Sequence, residues 1–228
     1  MKILEAGKGQ RLSYAYFFVA TLLLLAEAFR NTPAITVLRP MLIPILIALY
    51  SCTSRKRNKI YIVALAFALL SNVLLLTGEI THVIYAIITF LLYRLLIIII
   101  VVRYTAKFHL LAFAIAIVPF FFLFAYLIDM TSETLADGLY PSIANAIVMS
   151  VLAALSLSNY IFEDDRRNSW LLISSLLFVV LMFIFVIERF YLTNPVFRPL
   201  SVLVFAAAHY AFYKYMILTE RDILTSRL

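Results

Sequence analysis

Glycine, cysteine and histidine are scarce in this chain of 228 residues, and each shortage excludes a kind of site. The 4 glycines form neither a P-loop nor a glycine-rich nucleotide-binding motif, and no GxSxG or HExxH sequence is present. Cys52 is the only cysteine, which excludes an intrachain disulfide and a cysteine metal cluster. His82, His109 and His209 lie in separate segments and predict no metal site. We therefore expect no metal and no organic cofactor.

Charged residues are also few, at 14% of the chain, whereas 65% is hydrophobic. A soluble domain has about 45–50% apolar and about 25% charged residues. So much apolar side chain cannot be hidden in one soluble core, and it needs lipid as its solvent. The net charge of +7 does not indicate nucleic acid binding, because the basic residues lie in short loops between apolar runs. We expect an integral membrane protein whose partners are membrane lipids, and its size favours the cytoplasmic membrane of a bacterium.

Eight apolar stretches approach or exceed the length of a membrane-spanning helix, which needs about 20 residues. They cover residues 14–29, 34–52, 60–77, 83–102, 109–128, 139–160, 169–187 and 195–217. Pro40 and Pro44 predict a kink or local unwinding in the second stretch. No long hydrophilic segment remains, so the sequence predicts an all-α transmembrane bundle of eight helices, with residues 1–228 as a single domain.

The positions of lysine and arginine predict the orientation of this bundle. With the N-terminus inside, the inner segments carry Lys2, Lys8, Arg11, Arg55, Lys56, Arg57, Lys59, Arg103, Lys107, Arg166, Arg167, Lys214, Arg221 and Arg227. The outer segments carry only Arg30 and Arg189, and they include an acidic loop at 129–137. Because inner loops are enriched in basic residues, both termini are predicted to lie in the cytoplasm. Ala26-Glu27-Ala28 could instead end a cleaved signal peptide, which would leave seven spans with the same sidedness.

Several polar side chains fall within the spans, where such groups usually face the bundle interior or a water-filled cavity. At about 1.5 Å per residue, Arg39 and Asn72 lie about 8 Å below the outer surface, and Arg94 lies about 17 Å along the fourth span. Arg94 is too central to reach the headgroups. We predict that it points inward and binds helix carbonyls, Asn72, a tyrosine or a lipid phosphate. Asn145, in the sixth span, is interpreted as a helix–helix contact.

Five polar residues in the spans or at their ends have both a structural and a functional interpretation. Glu27, Glu188 and Arg198 lie near the outer ends of their spans, where they could be interfacial charges. Arg39 could pair with either glutamate or extend toward the headgroups. His209 could be a packed, hydrogen-bonded histidine or a group that transfers protons.

Five segments, in chain order, resemble the YhhN-type lysoplasmalogenase family. They are 38–44, similar to a K-P-x-x-x-P-like second span; 69–76, similar to G-D-v-L-L; 90–94, similar to F-L-L-A-H; 175–191; and His209-Tyr210. The resemblance covers nearly the whole chain and the same eight-span layout. It implies an integral membrane hydrolase that cleaves the vinyl-ether bond of lysoplasmalogens and releases a fatty aldehyde.

The chain departs from this family at the residues that carry the chemistry. By the resemblance, the family lysine corresponds to Arg39, the histidine to Arg94, and the two aspartates to Asn72 and Met182. Vinyl-ether hydrolysis protonates a carbon atom and lets water trap the resulting cation, so it needs a general acid and a carboxylate. Neither Asn72 nor Met182 can transfer a proton. Helix counting nevertheless predicts that Arg39, Asn72 and Met182 line one cavity open to the outer side.

Three functions stay open on this evidence. The first is hydrolysis of lysoplasmalogen or a related lysophospholipid, with Glu27, Glu188 or His209 as the substitute catalytic group. The second is a lipid-binding or structural membrane protein that has lost the chemistry. A small transporter is the weaker third, because the chain shows no inverted repeat and no paired broken helices. The predicted substrate-binding residues are Arg39, Arg94 and Tyr210.

Overall fold

The computed structural model describes residues 2–105, 107–192 and 194–225, which form eight α-helices with short connections. The helices are α1 (Lys2–Ala28), α2 (Thr32–Thr53), α3 (Lys59–Leu74), α4 (Ile80–Tyr104), α5 (Leu110–Leu135), α6 (Leu139–Phe162), α7 (Arg166–Phe190) and α8 (Phe197–Thr225). Within those ranges there is no strand. The predicted all-α bundle of eight helices is confirmed.

Seven of the helices are long and apolar enough to cross a membrane, and the protein is an integral membrane protein. The exception is α3, whose 16 residues extend about 24 Å, less than the roughly 30 Å of a hydrocarbon core. It ends at Leu74, three residues before the predicted end at 77, and is followed by a turn in which Gly78 has φ 71°. That left-handed conformation is one that glycine adopts at little cost.

One local prediction is wrong. Residues 129–137 are not an irregular loop, because α5 continues to Leu135 and a single 3₁₀ turn, Ala136–Gly138, leads directly into α6. In this segment the Thr131 hydroxyl donates to the carbonyl of Leu127, as side chains do inside a continuous helix. Of the kink or local unwinding predicted in α2, the structure shows no unwinding, because the helix is continuous past Pro40 and Pro44.

Seven helices form a closed ring. In the order α1, α2, α3, α4, α6, α7 and α8, each helix contacts the next, and α8 returns to α1. Helix α5 lies outside this ring against α6 and α7, and it is the least buried of the spanning helices. The ring has an interior that all seven helices can line.

Aromatic side chains fill much of the interior of the ring in the half nearer the turn between α2 and α3. Tyr50, Tyr61 and Tyr93 are each at most 1% exposed. Tyr93 stacks on His209 with ring centroids 5.4 Å apart, and Phe178 packs edge-on against His209 at 5.0 Å. This packing leaves the opposite half of the ring for a cavity.

A hydrogen-bonded cluster fastens α8 to the turn between α2 and α3. The Tyr50 hydroxyl donates to Glu220 Oε1 at 2.5 Å, and the Ser54 hydroxyl donates to the same carboxylate at 2.8 Å. The backbone N–H of Asn58 donates to the Tyr50 hydroxyl at 2.8 Å. Glu220 is only 7% exposed, so these donors replace the water that its carboxylate would otherwise bind.

Candidate functional site

A cavity of about 300 Å³ lies inside the ring, at the end where α1, α3 and α7 terminate and α2, α4, α6 and α8 begin. Every ring helix contributes to its lining. The polar lining residues are Glu27, Thr32, Thr36, Arg39, Asn72, Arg94, Ser142, Asn145, Glu188, Arg189, Arg198 and Ser201. The orientation that the basic residues predict, with both termini in the cytoplasm, would turn this end outward.

Three residues that the sequence assigned to one cavity do line it together. Arg39 comes from the second turn of α2, Asn72 from the last turn of α3 and Met182 from the outer part of α7. The prediction that Arg39, Asn72 and Met182 share a cavity is confirmed. Asn72 is 6% exposed, and its side-chain amide donates to the carbonyl of Ala68 at 3.1 Å.

An ion pair crosses the wall formed by α1 and α2. Arg39 Nη2 lies 2.5 Å from Glu27 Oε1, and Glu27 is almost completely buried. The tight turn between the two helices, in which Arg30 has φ 54°, brings these residues together. Of the alternatives open for Arg39, pairing with Glu27 is the one observed.

A second group of charges surrounds the mouth. Arg198 Nε donates to Glu188 Oε1 at 2.9 Å, which joins the end of α7 to the start of α8. Arg189 donates to the carbonyl of Gly78, in the turn that follows α3. Arg198 and Arg189 are both exposed, so these contacts lie at the water-facing rim of the cavity.

Arg94 forms the deepest polar part of the cavity and points inward, as predicted. It is 6% exposed and donates to Asn145 Oδ1, and its Nη1 lies 3.8 Å from Met182 Sδ. Its Nε has no hydrogen-bond partner among the described residues. The sequence predicted Asn145 only as a helix–helix contact and did not predict its hydrogen bond with Arg94. Helix counting gave no signal for it, because Asn145 lies about 9 Å from the start of α6 whereas Arg94 lies about 21 Å from the start of α4.

The structure does not place His209 or Tyr210 among the residues that line this cavity. His209 is fully buried, with Nδ1 2.9 Å from the carbonyl oxygen of Phe205 and its ring enclosed by aromatic side chains. It has the surroundings of a packed, hydrogen-bonded histidine. Tyr210 faces α1, where its ring contacts Phe17 at 4.7 Å.

The lining has more positive than negative charge. Four arginines, Arg39, Arg94, Arg189 and Arg198, share the described lining with two glutamates, Glu27 and Glu188. Each glutamate is engaged by an arginine, and an ionised carboxylate accepts hydrogen bonds but donates none. The arrangement therefore favours an anionic ligand. No group of three metal-ligating side chains occurs within the described ranges.

Comparison with known proteins gives a family assignment. A family model described as the YhhN family matches residues 34–216, which is most of the chain and nearly all of the bundle. No curated protein and no solved structure matches.

Proposed function

Because this chain belongs to the YhhN family, we propose that it binds a single-chain phospholipid of the lysoplasmalogen class in its outer cavity without efficient hydrolysis. The observation that carries the proposal is the shared cavity of Arg39, Asn72 and Met182, the positions that resemble the family's functional residues. We also propose that its membrane is the cytoplasmic membrane of a bacterium.

The excess of arginine supports an anionic amphiphile as the ligand. Arginine hydrogen bonds to phosphate are charge-assisted, and they strengthen when water is excluded. Arg94 is the most buried of these cations, and the ion pairs of the described residues do not include it. A lipid phosphate would supply the charge that the cavity lacks.

The lining argues against efficient vinyl-ether cleavage. One general acid or base contributes about 10²–10⁴ in rate, and an amide and a thioether occupy the positions of the two family aspartates. Glu27 and Glu188 are both engaged by arginines. A scaffold that keeps its cations and loses its proton donors is suited to holding the lipid.

Glu27 supports one second candidate, a relocated hydrolase. It is a buried carboxylate in the same cavity as Asn72 and Met182. If the bound lipid drew Arg39 away, a protonated Glu27 could transfer its proton to the vinyl carbon and form an oxocarbenium ion. The resulting carboxylate would then take a proton from attacking water, and the hemiacetal would collapse to an aldehyde and an alcohol.

A binding and turnover assay separates these functions. Purified protein in nanodiscs would be given vinyl-ether lysophospholipids with different headgroups, with binding measured by native mass spectrometry and fatty aldehyde by derivatisation. We expect stoichiometric binding with no aldehyde above the protein-free rate. Aldehyde release that Glu27→Gln abolishes, and that the exposed control Glu133→Gln keeps, would establish the hydrolase instead. Absence of binding for every headgroup would overturn the proposal, and uptake into proteoliposomes would point to transport.

A further inference from the structure

The deep end of the cavity holds a buried cation for which the described part of the chain provides no counter-ion. Arg94 is 6% exposed, and no salt bridge within the described ranges involves it. Burying a charge is costly unless it is paired and hydrogen-bonded. A guanidinium has five N–H donors, and no described residue accepts a hydrogen bond from the Nε of Arg94. A ligand oxyanion would supply both the missing negative charge and an acceptor for the Nε–H of Arg94.

Asn145 orients the guanidinium of Arg94. Its Nδ2 donates to the carbonyl of Ile87 at 2.8 Å, which turns its Oδ1 toward Arg94. The neutral amide holds the guanidinium without cancelling its charge. The other neighbour, Met182, offers only a sulfur at 3.8 Å, which is a weak acceptor.

The cavity ends at Arg94. The lining residues of α4 are Val83, Ile87, Phe90 and Arg94, which lie on one face, and none follows Arg94 toward the inner end. Arg94 lies fourteen residues beyond the start of α4, about 21 Å along the helix. Beside it, Tyr93 packs with Phe178 and His209, and all three side chains are at most 2% exposed.

We propose that Arg94 and Asn145 form a subsite for a terminal phosphate, so that the preferred ligand is a phosphate monoester rather than a diester with an amine headgroup. The inference rests on the proposed function and specifies which lysophospholipid the cavity takes. A headgroup beyond the phosphate would have to enter the packed core, whereas a terminal phosphate presents its free oxygens to Arg94. The dianion of a monoester also supplies more charge than a diester does.

The test compares how tightly the wild-type protein in nanodiscs binds ligands that carry the same alkyl chain. The ligands are an alkyl glycerol phosphate, its phosphoethanolamine diester and the uncharged alkyl glycerol, with chain-free glycerol 3-phosphate as the soluble source of the same group. We expect the monoester to bind at least about tenfold more tightly than the diester or the uncharged lipid, because hydrogen bonds to charged groups carry that difference. Equal affinity of monoester and diester would overturn the subsite while leaving the lipid-binding proposal intact. Competition by glycerol 3-phosphate at the same affinity would keep the subsite but overturn a lipid as its ligand.

Two substitutions assign the preference to these residues. Asn145→Asp places a carboxylate against Arg94 and should remove the monoester preference while keeping the side-chain volume. Arg94→Gln should do the same, whereas Arg103→Gln, on the exposed inner end of α4, should leave the preference unchanged. Persistence of the preference in both Asn145→Asp and Arg94→Gln would place the phosphate elsewhere. The wild-type comparison of ligands decides the proposal even if one variant fails to fold.

Discussion

Glu27 and Arg39 form an ion pair across the turn that joins the first two helices, with 2.5 Å between Oε1 and Nη2. The Glu27 side chain is 2% exposed and that of Arg39 is 20% exposed. A carboxylate buried to this degree needs its partner, because the desolvation penalty of a lone charge is several kcal/mol. The pair both ties α1 to α2 and fixes one wall of the cavity.

Arg39→Gln should therefore destabilise the protein by about 3–5 kcal/mol, because it leaves Glu27 buried without its cation. The double variant Glu27→Gln/Arg39→Gln should recover much of that loss, since no charge is then stranded. Thermal unfolding of the two single variants and the double variant in one detergent gives the coupling energy directly. Additive effects of the two single substitutions would show that the pair contributes no interaction energy.

Placing aspartates at Asn72 and Met182, the positions that resemble the family's aspartates, tests whether the cavity has the shape that vinyl-ether hydrolysis requires. The Asn72→Asp/Met182→Asp variant should gain aldehyde release from a vinyl-ether lysophospholipid, by about 10²-fold or more over wild type. Asn72→Asp alone should gain less, because a single carboxyl would have to donate the proton and activate water in turn, with no second carboxylate to stabilise the cation. The matched control places the second aspartate on α7 outside the cavity, as Asn72→Asp/Ser175→Asp, and should show no more activity than Asn72→Asp. If the restored variant binds lipid and remains inactive, the geometry around these positions has diverged along with the residues.

The sequence predicted the bundle because apolar length and basic-residue placement are properties of single segments. It also predicted the grouping of Arg39, Asn72 and Met182, because helix rise converts position in a span into depth. The partner of Arg94 was missed because depth alone does not say which helices are neighbours. Asn145 meets Arg94 only because α4 contacts α6, with α5 displaced outside the ring.

The local differences between prediction and structure have separate physical causes. Residues 129–137 are polar enough for a loop, yet a helix end can extend beyond the apolar core, and local hydrogen bonds keep the segment helical. Pro40 and Pro44 remove backbone donors, but neighbouring helices can maintain a helix that proline would break in isolation. His209 and Tyr210 follow the family motif in order, but each turns toward packed aromatic side chains.

The hydrogen-bonded cluster around Glu220 predicts different outcomes when the buried Tyr50 and Tyr61 are each replaced by phenylalanine. Tyr50→Phe removes a donor to Glu220 and an acceptor of the Asn58 N–H, and should cost about 1–3 kcal/mol. Tyr61→Phe is the matched control, because the Tyr61 hydroxyl is buried and has no partner among the described residues. It should be neutral or stabilising. Thermal unfolding of the two variants in the same detergent makes the comparison, and an equal loss of stability would show that the Glu220 hydrogen bonds do not distinguish Tyr50.

The predicted orientation can be tested with single cysteines in a Cys52→Ser background. Lys56→Cys lies in the turn between α2 and α3, where basic residues are concentrated, and Thr77→Cys lies in the turn at the cavity end; both positions are exposed. A membrane-impermeant maleimide should label Thr77→Cys in intact cells and Lys56→Cys only after the cells are opened. The physical reason is that short basic loops stay on the cytoplasmic side. Labelling in the opposite order would turn the cavity toward the cytoplasm, and its ligand would then have to come from the inner leaflet.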